Sequence, residues 1–178
     1  MYKTTIKTCE LPDKALLCRL LREGAYTDCY YTEMASPVSQ VDYIEAFYTT
    51  KLFKLERVLL AWFLKRPSED TEAHDLATGK ISAFAAWTVE GREADQLLLC
   101  DIHGRTRSWL MCLPSEDKQS VSLFFGSAVV PIFDGSSDEP RMGFPFRLLL
   151  GFHKLYSRAL LRAAVSRLLY FKKVNNQP

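Results

Sequence analysis

Residues 96–130 read QLLLCDIHGRTRSWLMCLPSEDKQSVSLFFGSAVV, and this stretch decides the fold. It contains three apolar runs, which are Gln96–Ile102, Arg105–Leu113 and Ser120–Val130. Short polar turns at His103-Gly104 and Pro114–Lys118 separate the runs, as is typical of strands. Connections this short allow antiparallel neighbours and leave no room for the helical crossovers of a parallel sheet. The stretch therefore predicts an antiparallel meander.

Two further strands are predicted upstream of this stretch. Ile81–Val89 is separated from the meander by Glu90-Gly91 and is predicted to be its first strand. Tyr26–Met34 is rich in aromatic residues and threonine, which are typical of strands. Between these two segments, the polar residues Lys65–Gly79 interrupt both apolar patterns, and we predict a loop there.

Helical spacing of apolar residues recurs in three places. Leu11–Arg22 carries leucines on one face and predicts a short helix. Val38–Leu64 predicts either one long helix or two helices broken near the β-branched pair Thr49-Thr50. The final helix is predicted over Phe146–Phe171, where a wide apolar stripe must be covered. Residues 172–178 are predicted to be a flexible tail.

These elements predict an α+β protein in which a curved antiparallel sheet wraps around a long C-terminal helix. A chain of 178 residues is long enough for one domain with a full core and too short for two comfortable ones. We therefore expect a single domain over residues 1–178, with its core at about residues 25–170. The order of strand, helices, meander and final helix is that of the helix-grip fold.

Three segments also resemble a known family. They are LLLCDIHGRTRSWLMCL (Leu97–Leu113), SLFFGSAVVP (Ser122–Pro131) and GFHKLYSRALLRAAVSRL (Gly151–Leu168). They look like a bacterial domain-of-unknown-function family near the START and polyketide-cyclase-like (SRPBCC, helix-grip) superfamily. The resemblance implies an apolar cavity between the sheet and the final helix. Some relatives carry a dehydrogenase-like domain, so it also implies a separate dehydrogenase-type partner, because this chain has no glycine-rich dinucleotide fingerprint.

Net charge, cysteine spacing and the length of apolar stretches argue against several classes of protein. The net charge of +2 is too small to indicate a nucleic-acid binder. The five cysteines show no C-x-x-C spacing, which favours reduced thiols and a cytoplasmic location. Residues 1–21 lack the apolar core and cleavage site of a secretory signal. The longest apolar stretch, Leu52–Leu64, is interrupted by charges and is shorter than the ~20 residues a bilayer requires, so no integral membrane segment is expected.

A polar cluster around the predicted turn at His103-Gly104 allows two interpretations. A two-residue turn places Asp101 opposite Thr106 and Cys100 opposite Arg107, so that Arg107 and Trp109 share one face of the sheet. In the first interpretation, Arg107 points into the cavity and binds a carboxylate, enolate or phosphate oxygen. In the second, Asp101 belongs to the hairpin tip and Arg107 pairs with an acid on the outer face.

Histidines are scarce, and their spacing is that of no metal motif. His74, His103 and His153 show neither H-x-x-x-H nor H-x-E spacing, so we expect no metal, and no cofactor motif is present. His153 lies in the predicted final helix between apolar residues. It is either an acid or base facing the cavity or a hydrogen-bonded residue at the edge of the core.

The sequence supports one leading functional hypothesis and two alternatives. In the leading one, a hydrophobic or aromatic small molecule binds beneath the final helix, in a cavity lined by Trp87, Trp109, Met111, Phe124 and Tyr156. The first alternative is a cofactor-independent cyclase, dehydratase or isomerase in the same pocket. In it an acid or base, which is His153, Asp101 or a tyrosine, works beside Arg107 as the oxyanion partner. The second is a protein-interaction or membrane-surface module, because basic residues recur along the final helix.

Overall fold

The computed structural model describes residues 5–64, 68–130 and 144–175. Some of these are described by their backbone alone, namely residues 56, 59–64, 144–153 and 175. The described residues form five helices and one seven-stranded antiparallel sheet, which is curved. The α+β, helix-grip-like fold predicted from the sequence is confirmed.

The sheet is a meander extended at one side by two earlier strands. Its strands are β1 (Lys7–Thr8), β2 (Tyr26–Met34), β3 (Ala83–Phe84), β4 (Trp87–Arg92), β5 (Gln96–Asp101), β6 (Thr106–Pro114) and β7 (Val121–Val129). Their spatial order is β1-β2-β7-β6-β5-β4-β3, so β3 to β7 are consecutive neighbours, as predicted. The predicted strand Ile81–Val89 is divided into β3 and β4, because the chain turns at Ala85 with φ +52°.

The helices are α1 (Cys18–Arg22), α2 (Gln40–Tyr48), α3 (Lys51–Leu64), α4 (Asp70–Thr78) and α5 (Phe144–Asn175). Of the alternatives for Val38–Leu64, the two-helix one is correct, and the break falls at the threonine pair. The Thr49 hydroxyl donates to the Glu45 carbonyl (2.6 Å), which closes the end of α2. The Thr50 hydroxyl accepts from the Phe53 N–H (3.1 Å), which starts α3.

The prediction for Leu11–Arg22 was too long, since only Cys18–Arg22 is helical. The preceding backbone is held by a side chain of the sheet instead of by a helical ladder. The Gln96 amide oxygen accepts from the Leu16 N–H, and the Gln96 amide nitrogen donates to the Lys14 carbonyl, both at 3.0 Å. These bonds satisfy backbone groups that a helix would otherwise pair.

The prediction of a loop over Lys65–Gly79 was wrong for most of the residues from 68 on, which the structure describes, because α4 occupies Asp70–Thr78. The helix starts with a capping box between Glu69 and Glu72 and stops at Gly79, whose φ of +81° is left-handed. Its buried positions are mostly small ones, Ala73, Leu76 and Ala77, so the apolar stripe is weak in the sequence.

The final helix is longer than predicted. It continues through the first residues of the predicted tail to Asn175, and the rest of that tail lies outside the described residues. Lys172 holds this last part against the chain before α2. Its ammonium donates to the Ser36 hydroxyl at 2.8 Å and also to the Pro37 carbonyl.

Each face of the sheet is covered by a different part of the chain. On the helix face, strand residues such as Leu99, Leu110 and Phe125 pack against α2, α4 and α5. On the opposite face, which we call the N-terminal face, Leu98, Trp109 and Met111 pack against the segment that contains Ala15, Leu17 and Leu20. The sheet therefore lies between two apolar layers, and its central strands are buried on both sides.

Candidate functional site

The five residues predicted to line one cavity lie on two faces of the sheet, which corrects that prediction. Trp87 and Tyr156 pack against the cluster of the helix face. Trp109, Met111 and Phe124 belong to the N-terminal face, on the far side from α5. Successive residues of a strand point to opposite faces, and Leu110, which lies between Trp109 and Met111 on β6, packs in the cluster of the helix face. The five residues therefore do not share a cavity beneath the final helix.

Trp109 is packed as a core residue. Its side chain is fully buried, and its indole N–H donates to the Gln96 amide oxygen at 2.9 Å. Gly126 lies opposite Trp109 on β7, where a Cβ atom would come within 2.9 Å of the Trp109 ring and 2.8 Å of Leu17. Glycine is needed here because Leu17 of the N-terminal segment, the Trp109 ring and the Asp28 carbonyl all lie within 3.0 Å of where a Cβ atom would be.

Asp101 and Arg107 have structural roles at the hairpin. The predicted register is correct, since Cys100 pairs with Arg107 and Leu98 with Trp109. Asp101 Oδ1 accepts from the N–H groups of Arg105 (2.6 Å) and Thr106 (2.8 Å). Arg107 Nε donates to Glu90 at 2.7 Å, and its guanidinium also bonds to the Gly104 carbonyl. The interpretation in which Arg107 points into a cavity under the helix was wrong, because its face is the N-terminal one.

Of the three residues named for the enzymatic alternative, Asp101 and Arg107 are thus engaged in the hairpin. The third, His153, lies in α5, and its side chain is outside the described residues. Within residues 5–64, 68–130 and 144–175, no group of three or more His, Cys, Asp or Glu side chains is arranged to hold a metal ion.

The principal cavity that we describe lies at the edge of the sheet, and we call it the β2-edge pocket. It has a volume of about 910 Å³. Its lining comes from the chain before α1, from α1, from β2 and from α5: Thr8, Cys9, Glu10, Leu11, Asp13, Cys18, Leu21, Arg22, Tyr26, Thr27, Asp28, Cys29, Tyr30, Lys154 and Arg158. None of the five predicted cavity residues is among them.

The position of this pocket follows from the pairing of β1. Five consecutive residues of β2, Tyr26–Tyr30, line it. Because alternate residues of a strand face opposite sides, only the edge of a strand brings five in a row to one cavity. β1 pairs with β2 at Tyr30 and Tyr31, and the chain beyond it is joined by the bond from the Cys9 N–H to the Cys29 carbonyl (3.1 Å). The pocket opens where this pairing ends.

A buried carboxylate lies in the pocket wall. Asp28 Oδ1 accepts from the Ser127 hydroxyl (2.5 Å) and the Ser127 N–H (3.2 Å), across the β2–β7 pair. The Tyr30 hydroxyl donates to Asp28 Oδ2 at 3.4 Å. Burial, together with the nearby Asp28 charge, raises the pKa of Tyr30, so its phenol stays protonated as a donor. This wall offers polar groups that are already fixed in position.

Cations and apolar side chains surround the same space. Arg158 reaches over from α5, with its guanidinium 5.3 Å from the centre of the Tyr30 ring and Nη2 donating to the Thr8 hydroxyl at 2.8 Å. Lys154 and Arg22 also line the pocket, as do the apolar side chains Leu11 and Leu21. The cationic groups are partly balanced by Glu10, Asp13 and Asp28.

Three thiols also line the pocket. Cys9 Sγ lies 3.3 Å from Cys29 Sγ, and Cys18 Sγ donates to the Pro12 carbonyl at 3.2 Å. Burial raises the pKa of Cys29, and burial also raises the pKa of Cys9, although the hydrogen bond between the two thiols lowers the latter. Both thiols are therefore protonated at neutral pH.

The sequence contained a signal for the second covered face that the prediction did not use. The runs Leu97–Cys100 and Trp109–Leu113 are continuously apolar instead of alternating. Continuous apolar runs are typical of strands buried on both faces. Combined with the leucines of the predicted first helix, they indicate that the N-terminal segment covers the sheet. No local signal marks the pocket itself, because it depends on where β1 stops pairing.

The basic side chains of α5 that the structure describes differ in their contacts. Arg158 bonds to Thr8, while Arg167 Nε donates to the Thr49 hydroxyl at 2.6 Å and its guanidinium stacks on the Phe171 ring. Lys154, Arg158 and Arg162 are exposed. Among the helices of the described residues, none has the length and apolar character needed to cross a bilayer.

Comparisons with known proteins identify no family. No protein-family model and no curated protein sequence matches the chain. Among solved structures, the chain is similar to the crystal structure of CalU16 from Micromonospora echinospora, at 13% sequence identity and a TM-score of 0.31. The alignment covers 98% of each chain.

Proposed function

We propose that the protein binds a small molecule with an apolar body and an anionic group in the β2-edge pocket. The observation that carries this proposal is the convergence of Arg158 and Lys154 from α5 on the edge of β2. The volume of about 910 Å³ lies within the range of small-molecule sites. The ligand lies between the sheet and the final helix, as the sequence-based hypothesis has it, but at the sheet's edge.

The lining residues are of two kinds, which predict a ligand with an anionic part and an apolar part. The planar guanidinium of Arg158 is suited to a carboxylate or a similar anion, because it donates two parallel hydrogen bonds. Stacking on Tyr30 and the bond to Thr8 orient it before the ligand arrives. Leu11 and Leu21 offer apolar surface to the rest of the ligand, and Leu21 is a leucine with half of its surface exposed. An exposed leucine beside a cationic group favours an amphipathic ligand over a purely apolar one.

The test uses two fluorescent probes of similar size, the anionic anilinonaphthalene sulfonate and the neutral N-phenylnaphthylamine. A hydrogen bond to a charged group contributes about 1.5–3 kcal/mol, so Arg158→Gln is expected to weaken binding of the anionic probe about tenfold to a hundredfold. The neutral probe should bind the variant nearly as well as the original chain.

Arg162→Gln is the matched control, because Arg162 is an exposed arginine on the same helix and does not line the pocket. It removes the same net charge. Equal losses from the two variants would show that the probe senses only the overall charge, and the proposal would fail. Melting temperatures of both variants separate a binding loss from unfolding.

The probe-binding test does not address the other predictions made from the sequence. Membership of the START and polyketide-cyclase-like superfamily, a dehydrogenase-type partner and a cytoplasmic location stay predictions from the sequence, as do the enzymatic and surface-module alternatives.

A further inference from the structure

We infer that Cys9 and Cys29 are a modification site at which a peroxide forms a disulfide between the chain before α1 and strand β2. The inference goes beyond ligand binding and does not depend on it.

The backbone already places the two cysteines opposite each other. Thr8 pairs with Tyr30 in the β1–β2 ladder, and Cys9 and Cys29 are the next residues along the two antiparallel strands. The Cys9 N–H donates to the Cys29 carbonyl at 3.1 Å, so the pairing extends to this position. Directly opposed residues of antiparallel strands have Cα atoms about 4.5–5.5 Å apart, which a disulfide can bridge.

The side chains are arranged for the same bond. The two sulfur atoms are 3.3 Å apart, close enough that small rotations of both side chains bring them to bonding distance. Cys29 is buried, while Cys9 is partly exposed, and both line the β2-edge pocket. A small peroxide can therefore reach the pair through the pocket, beginning with Cys9.

The reaction balances with hydrogen peroxide as the oxidant. The Cys9 thiol first gives up its proton, and its sulfur attacks one peroxide oxygen. The O–O bond breaks, and the departing hydroxide takes up a proton and leaves as a first water while Cys9 becomes a sulfenic acid. The Cys29 sulfur then attacks the sulfenic sulfur, the S–O bond breaks, and a second water leaves with the Cys29 proton. Two thiols are oxidised to one disulfide, and one peroxide is reduced to two waters.

The bond would join residues separated by 20 positions. It would fix the start of the N-terminal segment to the sheet at the point where the β1 pairing now ends. Closing such a loop restricts the unfolded chain, so oxidation should raise the melting temperature, and a thiol reductant should reverse the shift.

The experiment treats the full chain with hydrogen peroxide and maps disulfides by mass spectrometry of a non-reducing digest. A peptide pair linked through Cys9 and Cys29 is expected, with an upward shift in melting temperature. Cys9→Ser should abolish both effects. Serine suits this position because Cys9 is partly exposed, so the variant should fold.

Cys18→Ala is the matched control, since Cys18 lines the same pocket but bonds to a carbonyl instead of a thiol. It should leave the Cys9–Cys29 link intact. A link that includes Cys18, oxidation that stops at separate sulfenic or sulfinic acids, or the absence of any intramolecular link would each overturn the inference. A Cys9–Cys29 link without a reversible rise in melting temperature would overturn its stabilising role.

Discussion

The two faces of the sheet are covered in physically different ways. The helix face is covered by α2, α4 and α5, whose backbones are satisfied within the helices. The N-terminal face is covered by a segment that is mostly irregular, so the sheet must pair its backbone. Gln96 does this with two backbone bonds, while its oxygen also accepts from Trp109. The buried Gln96 amide thus supplies hydrogen bonds to the irregular layer that a helix would make within itself.

The largest expected effect comes from neighbouring residues of β6 that point to opposite faces. Trp109→Ala should cost about 3–5 kcal/mol and Leu110→Ala about 2–5 kcal/mol, because both side chains are fully buried and leave a cavity. Trp109→Ala also removes one donor to Gln96. Urea unfolding of the two variants measures both free energies.

Comparable losses would show that both faces are true cores. The comparison breaks if Trp109→Ala costs a small fraction of what Leu110→Ala costs, because the N-terminal segment would then only lie loosely on the sheet. Limited proteolysis at Lys14 adds a local readout, since only the Trp109 variant should be cleaved faster there than the original chain.

An intermediate effect is expected at Gly126, the point of closest approach between the N-terminal segment and the sheet. A Cβ atom there would meet Leu17 at 2.8 Å, the Trp109 ring at 2.9 Å and the Asp28 carbonyl at 3.0 Å. Overpacking of this kind costs about 1–3 kcal/mol, so Gly126→Ala should destabilise the protein by that amount in urea unfolding.

A second substitution sharpens this test. Leu17→Ala removes one of the three contacts, so the double variant should be more stable than the sum of the two single losses predicts. Strict additivity would mean that the Trp109 ring and the Asp28 carbonyl dominate the clash instead of Leu17. In that case the N-terminal segment is not what requires glycine.

The sequence predicted the strands and helices that follow from local periodicity. The meander, the range of β2 and the break at Thr49-Thr50 depend on turn residues, alternation and β-branching, and all three are confirmed. The α4 helix was missed because its buried face contains two alanines and one leucine. Its stop signal, Gly79, was present but was interpreted as the end of a loop.

The candidate site was harder to predict than the fold, because its position depends on how distant parts of the chain pack together. The register at the hairpin was correct, so Trp109 and Arg107 were placed on one face, but which face looks toward the final helix depends on long-range packing. Assuming a single covered face put Trp109 on the wrong side. The pocket depends on residues far apart in sequence, such as Cys9, Asp28 and Arg158, whose proximity no local pattern indicates.

The smallest expected effect concerns how each layer responds to acid. On the helix face, Asp70 at the start of α4 bonds to Lys54 and to Arg57 (2.8 Å) of α3. Burial alone would raise the pKa of Asp70, but the hydrogen bonds from these two cations outweigh it and lower the pKa. The bonds that Gln96 makes on the N-terminal face carry no titratable group, so acid should act on the two layers unequally.

The lowered pKa of Asp70 fixes the direction of the pH dependence. The folded state holds the charged carboxylate, so the stabilisation is present above the unfolded pKa of about 3.9 and is lost as pH falls through the lower folded value. Asp70 is nearly half exposed, so water screens the pair and Asp70→Asn should cost no more than about 1 kcal/mol at neutral pH. The difference between the variant and the original chain should disappear in urea unfolding below the folded pKa of Asp70.

Asp75→Asn is the control for this substitution, because Asp75 forms an exposed pair with Lys80 near the other end of α4, and it should change stability less. Hydrogen exchange should show earlier loosening of α4 than of residues 14–16 in acid, and simultaneous loosening would mean that the two layers open as one unit.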